Sequence, residues 1–224
     1  MLVAIDRSSS IGSAALFSLE GALLASVSDS EAGYGDAYGL FDRVLRDADV
    51  SSCAVTRFAA GIGPGSFSGI RSAIAVLSGL ALPSGASVEG VSSAAATNAV
   101  FRRRHPEADT VAVVGDARRG HIWVALFEPD THAHNGIEDF VLIDHDAVAS
   151  RIPSHAAVIT PDMSRIGPLL ISAFSEARVF AAIPTAEAVG RLALGGCSAT
   201  ALPIYLHPAV VPQERRCSGA GVRR

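Results

Sequence analysis

Lysine is absent: all 18 basic residues are arginine. That excludes a phosphate-binding lysine of the Walker type, a Schiff-base lysine and a Ser-Lys dyad together. Cysteine is scarce, and Cys53, Cys197 and Cys217 are odd in number and too scattered for a disulfide framework or a C-x-x-C metal pair. Such usage predicts a reducing, cytoplasmic compartment. The longest apolar-looking stretch, 70–88, is broken by Arg71, several serines, two glycines and Pro83, so no membrane span is expected. Leu2 to Ile5 is a short apolar run closed by Asp6 and Arg7 without a basic leader, and a secretory segment is not expected. The seven histidines contain no H-E-x-x-H and no other pair at helical spacing on a plausible helix, with His132 and His134 in a polar loop, which argues against zinc chemistry. Ser66 and Ser68 lack a G-x-S-x-G context and a nearby histidine or acid, which argues against a serine nucleophile. A net charge of -4 disfavours autonomous tight binding of nucleic acid.

What is present is a large apolar content, 49% over 224 residues, enough to core one large domain or two small ones. The most informative stretch is Gly61-Ile62-Gly63-Pro64-Gly65-Ser66-Phe67-Ser68-Gly69-Ile70-Arg71. An apolar run breaks into glycines and resumes as a helical pattern, which reads as strand, tight loop and helix start, capped by Ser66 or Ser68. Free amides at such a start favour anions, so the loop either holds a phosphate or simply sets the helix angle. The spacing of Gly63, Gly65 and Gly69 fails the G-x-G-x-x-G fingerprint, and Glu89, about twenty residues on, falls inside a strand rather than at its end. Asp6-Arg7-Ser8-Ser9-Ser10 marks the turn after the first strand. Asp6 and the Gly63 loop both lie at strand ends that could converge on one crevice.

Strands are expected over 2–6, 13–19 and 22–28, with Glu20-Gly21 as a hairpin turn, then a helix over 36–48, a strand over 57–62 and a helix over 66–82. In the last, Ile70, Ala73, Ile74, Leu77, Leu80 and Ala81 form an apolar stripe. Gly69, Ser72, Val76 and Gly79 form a small-residue shoulder that allows close approach, within the chain or by a partner. A strand over 87–91 and a helix from Ser92 or Ser93 to Phe101 complete a mixed sheet. The stretch 102–109 is the expected boundary between lobes 1–104 and 105–224, the second carrying a C-terminal helix and tail. In the second lobe, strands are expected over 110–116, 121–128, 138–143 and 156–160, and helices over 144–151, 164–177 and 185–194. No internal repeat is legible. Arg102-Arg103-Arg104 and the tail arginines Arg215, Arg216, Arg223 and Arg224 read as a solvated linker and terminus, with a nucleic-acid contact as the alternative.

Four stretches resemble the TsaB (YeaZ) family, paralogues of TsaD/Kae1: Leu2-Val3-Ala4-Ile5-Asp6 with Ser9, Gly63 to Arg71, Asp116-Ala117-Arg118-Arg119-Gly120, and Pro203-Ile204-Tyr205-Leu206. The second is the most specific, with Ser68 where threonine is common. The resemblance implies an α/β actin/sugar-kinase/Hsp70-like (ASKHA) fold of two lobes, each with a mixed sheet and helices. It also implies a non-catalytic subunit of the bacterial machinery that makes threonylcarbamoyladenosine beside the tRNA anticodon. That subunit would pair with a TsaD-like paralogue and a TsaE-like ATPase, meet tRNA only through the complex, carry no cofactor of its own, and either leave ATP or ADP to a subunit or lobe interface or bind none. A homodimer is a further assembly of this kind. Carried onto this chain, Asp6, Ser8, Gly63, Gly65 and Ser66 would be a relic phosphate site. Tyr38, Phe41, Leu45, Ser72, Val76 and Gly79 would be the partner surface. The alternatives are a nucleotide-binding enzyme of the ASKHA type and an M22-like peptidase. The stretch 31–38, His121 and His207 depart from the family pattern, and the tail after Val211 carries no signature.

Overall fold

The computed structural model describes residues 1–29, 36–129 and 139–206. The expectations resting on Glu31 to Gly35, His132, His134, Glu138, His207, Cys217 and the tail arginines lie outside the described residues. Two sheets organise the chain. The first runs β11-β5-β4-β1-β2-β3, where β1 is Leu2–Asp6, β2 Ser13–Phe17, β3 Leu23–Ser28, β4 Arg57–Gly61, β5 Val88–Val91 and β11 Ala199–Thr200. The second runs β10-β9-β6-β7-β8, where β6 is Val111–Arg118, β7 His121–Phe127, β8 Val141–Asp144, β9 Ala157–Thr160 and β10 Val179–Ala181. Leaving β11 aside, each sheet orders its strands third, second, first, fourth, fifth, with the first three antiparallel and the last two parallel to the first. The chain is therefore two copies of one topology. No sequence repeat announced this, because the topology needs only strand and helix periodicities and turns, which many different side chains satisfy.

The helices are α1 (Ala37–Asp47), α2 (Phe67–Ala81), α3 (Ser93–Arg102), α4 (Val148–Arg151), α5 (Met163–Phe174) and α6 (Ala186–Leu194). β1 is buried along its whole length because alternate residues serve two faces: Val3 and Ile5 pack with α1 and α2, Leu2 and Ala4 with α6. In the second sheet, Ala112, Val114 and Val158 pack with α4 and α5. Its other face, with Val111, Val113 and Trp123, packs with Ala94, Ala95 and Phe101 of α3.

The contiguous halves interlock in this arrangement. The polypeptide does pass from one sheet to the other between Arg102 and Val111, but α3 of the first half covers the second sheet. In return α6 covers the first sheet, and β11 extends it by pairing with β5. In the linker Arg103 and Arg104 are exposed, as expected of a solvated run, while Arg102 is half-buried. Arg102 donates to the carbonyls of Ala108, Asp109 at 2.9 Å and Phe127 at 3.1 Å, and Arg103 pairs with Glu187 of α6 at 2.7 Å.

Local expectations shift at several ends. β8 begins at Val141, and the helix expected over 144–151 is a 3-10 turn followed by the single α turn of α4. α5 ends at Phe174, where Ser175 takes a φ of 72°. β10 and β11 were not foreseen: three and two residues carry too little periodicity to register.

Candidate functional site

Asp6 ends β1 and is fully buried. Its Oδ1 accepts from the Ser8 amide at 2.9 Å and the Ser8 hydroxyl at 2.8 Å, and its Oδ2 accepts from the Ser93 hydroxyl at 2.7 Å. Burial pushes the carboxyl above its ordinary value, against the pull of the hydrogen bonds from Ser93 and Ser8. Gly61 is obligatory beside it, since a Cβ there would overlap the Asp6 carboxylate.

The glycine loop is stitched onto the same turn. Ser93 accepts from the Gly63 amide at 3.1 Å, its own amide donates to the Gly63 carbonyl at 2.8 Å, and the Ser66 amide donates to the Ser8 carbonyl at 2.7 Å. The Gly63-Pro64 peptide is cis, and Gly63 and Gly65 take φ values of 94° and 157°. A side chain on Gly65 would strike the Ser8 backbone, and one on Gly69 would strike the Arg7 carbonyl. Ser66, not Ser68, caps α2 through the Gly69 amide, and Ser92 caps α3 through the Ala95 amide, which leaves Ser93 for Asp6 and Gly63. Asp6, Ser8, Gly63, Gly65 and Ser66 thus come together as one cluster whose polar groups largely satisfy one another. Glu89 has a separate structural part, held by Arg57 at 2.8 and 3.0 Å and by Ser198.

The second lobe repeats the strand-end device. Asp116 accepts the amide of Arg118 at 2.8 Å, as Asp6 accepts that of Ser8, and its own amide donates to Asp162 at 3.0 Å. Arg118 at 3.2 Å and Arg165 at 3.8 Å neutralise its carboxylate. The turn that follows gives Arg118, Arg119 and Gly120 φ values of 68°, 55° and 79°. His121 lies beside Asp144 at 3.2 Å. Among the described residues no group of three or more His, Cys, Asp and Glu side chains is placed to hold a metal.

Beside the Asp6 turn, sequence reasoning missed Trp123. It projects from β7 over Gly115, its partner across the ladder, and is 2% exposed. Ser8, Ser9, Pro64, Gly65, Ser93, Thr97, Trp123 and Asp162 are among the residues that wall a cavity of about 10 Å³. The available signal was the alternation of β7, which sends Trp123 and Ala125 to the same face as Gly115 and Val113, but only the strand pairing shows what that face meets.

Of the candidate partner residues, Tyr38 and Gly79 are exposed and Ser72 and Val76 half-buried. Phe41 and Leu45 are corrected: at 4% and 6% exposure they pack into the core beneath α1 and are not available to a partner. Phe67, Arg71 and Tyr205, which lie in the stretches that carry the resemblance, were not among the expected partner residues. The Arg71 guanidinium stacks 3.8 Å over the exposed Phe67 ring, and its Nε donates to the Tyr205 hydroxyl at 2.6 Å.

The family model described as TsaD, tRNA N6-adenosine threonylcarbamoyltransferase, matches residues 37–160, more than half of the chain. A comparison with curated protein sequences gives no match. Among solved structures, YeaZ from Pseudomonas aeruginosa superposes with a TM-score of 0.71 at 26% identity, over 92% of this chain and 99% of that one. A second structure, described as an uncharacterized protein with similarity to peptidase YEAZ from Pseudomonas aeruginosa, gives a TM-score of 0.71 at the same identity and coverage. The ASKHA fold that the resemblance implies would place a nucleotide in the crevice between the two lobes. The residues present do not fit one. Ligand sites of that kind run to roughly 300 Å³ or more, whereas the cavity beside Ser8, Gly65 and Trp123 measures about 10 Å³, space for a single water. On the extent of the family match the chain belongs to the TsaD family, and its structure is similar to that of YeaZ.

Proposed function

We propose that this chain is a non-catalytic, activating subunit in the formation of threonylcarbamoyladenosine on tRNA, pairing with a TsaD-like paralogue and working with a TsaE-like ATPase. The observation that carries the reading is α2. With the turn that follows it, the stretch Phe67–Ser84 is apolar enough in composition to cross a membrane, yet it packs on the first sheet through Ile70, Ala73, Leu77 and Ala81, and only 28% of it is buried. Phe67 at 58% and Leu82 at 78% exposure bracket Ala75, Ser78 and Gly79, all on the surface. A helix with large apolar ends and a small-residue centre lets a second helix approach closely, and leaving it in water is costly. Tyr38 of α1 extends the same surface.

The crevice supports the same reading. An ASKHA enzyme needs strand-end carboxylates and loop amides turned toward a ligand, while here Asp6 and Ser66 are bonded inward. In this proposal any nucleotide belongs to the interface with the paralogue or to the partner subunits, and tRNA is met through the assembly. The same α2 face would serve a homodimer, so self-association and pairing with the paralogue would compete.

Co-expression with the cognate TsaD-like paralogue tests the pairing, and reconstitution of tRNA modification with and without this chain tests the activation. A modification rate independent of this chain, or turnover by the purified chain alone, would overturn the proposal.

A further inference from the structure

We propose that Trp123 is a built-in occupant of the inter-lobe crevice, taking the space a ligand would need and thereby closing this chain's crevice to nucleotides. The argument starts from the β6–β7 ladder, in which Gly115 stands opposite Trp123. Any side chain at Gly115 would overlap Cε2, Cζ2 and Nε1 of the indole, so the ring lies flat across that strand. Phe140 meets the ring edge-on, with centroids 5.7 Å apart and planes at 84°, and fixes its orientation from the side.

The indole, with Pro161, Asp162 and Pro184, is the second lobe's contribution to the walls of this cavity. Across from them stand Ser8, Ser9 and Gly65 of the first lobe, with Thr97 of α3 beside them. Thus the one tryptophan of the chain shares a cavity wall with Ser8 and Ser9 of the Asp6 turn, where residues of both halves of the fold meet. The ring replaces ligand-bridged contacts between lobes with a permanent apolar one. Its volume is released only if the side chain is removed, and what is then exposed is a pocket shaped for a flat aromatic.

The inference concerns the isolated chain and stands apart from pairing with a paralogue. Because Trp123 is the single tryptophan, intrinsic fluorescence reports on it alone. In the wild-type chain we expect a blue-shifted emission, acrylamide quenching severalfold weaker than that of free N-acetyltryptophanamide, and no change on adding ADP or ATP with magnesium. In Trp123→Ala, shown folded by circular dichroism, we expect free indole to bind saturably and raise the melting temperature, while having no effect on Trp123→Phe. If Trp123→Ala does not fold, the wild-type fluorescence decides. Ready quenching by acrylamide, a saturable response to micromolar nucleotide, or a folded Trp123→Ala that ignores indole would each overturn the proposal.

Discussion

Gly115 and Trp123 face each other across the β6–β7 ladder as hole and knob, the indole occupying the space that a Gly115 side chain would need. Gly115→Ala should therefore act at a distance, pushing the ring toward Ser8 and Gly65. Overpacking of this kind costs roughly 1–3 kcal/mol. Denaturant melts should show the loss, and fluorescence should show a red shift that Val113→Ala, on the same face of β6, does not produce.

Ser93 illustrates how tightly the Asp6 cluster is bound into the fold. Its hydroxyl donates to Asp6 and accepts from Gly63, both buried. Ser93→Ala takes the hydrogen bond from Asp6 Oδ2 and from the Gly63 amide and should cost about 2–4 kcal/mol, whereas Ser66→Ala, which removes a helix cap, should cost about 1 kcal/mol. Equilibrium unfolding of the two variants distinguishes them, and equal losses would show that the cluster contributes no more than a cap.

Acidity should reveal the same cluster. Burial raises the Asp6 carboxyl above its ordinary value of 3.8. A raised folded value means that the folded state holds the proton more tightly than the unfolded chain. The contribution is fully present below the unfolded value and is lost as pH rises through the folded one. The wild-type chain should thus lose stability, relative to Asp6→Ala, as pH is raised through this window. Melting temperatures of both proteins across the acid range measure the difference, and parallel curves would show that Asp6 titrates as it does when unfolded.

Gly79 separates folding from docking. Nothing stands within 4 Å of a Cβ placed there, so a larger residue is accommodated without disturbing the monomer. Gly79→Ala should raise stability by about 0.5–1 kcal/mol through helix propensity alone. Gly79→Leu should leave the melting temperature at or above wild type but reduce co-purification with the paralogue several-fold, because the branched side chain fills the close-approach centre of α2. Undiminished pairing would move the docking surface away from this helix.

The arginine and tyrosine beside that helix offer a further check. Tyr205→Phe removes the hydrogen bond to Arg71 while keeping the ring against Phe67. On an exposed site the loss of monomer stability should stay below about 1 kcal/mol. Chemical denaturation measures it, and a large loss would mean that the Pro203 to Leu206 segment anchors α2 rather than decorating it.

The sequence by itself determined the elements and their order in the first half of the chain. Continuous apolar runs such as Leu2 to Ile5, the three-to-four spacing in α1 and α2, and the serines and glycines at their ends are local signals that need no tertiary context. It also put Asp6 and the Gly63 loop at strand ends that could converge, and the parallel pairing of those strands is what brought them together. Tertiary structure alone decided which polar groups turn inward, because Ser93 reaches Asp6 from a helix start 87 residues away. It alone paired Trp123 with Gly115, exchanged α3 and α6 between the lobes, and sank Phe41 and Leu45 into the core. A periodicity says which side of a strand or helix is apolar. What that side packs against depends on contacts between segments far apart in the chain, which no local spacing records.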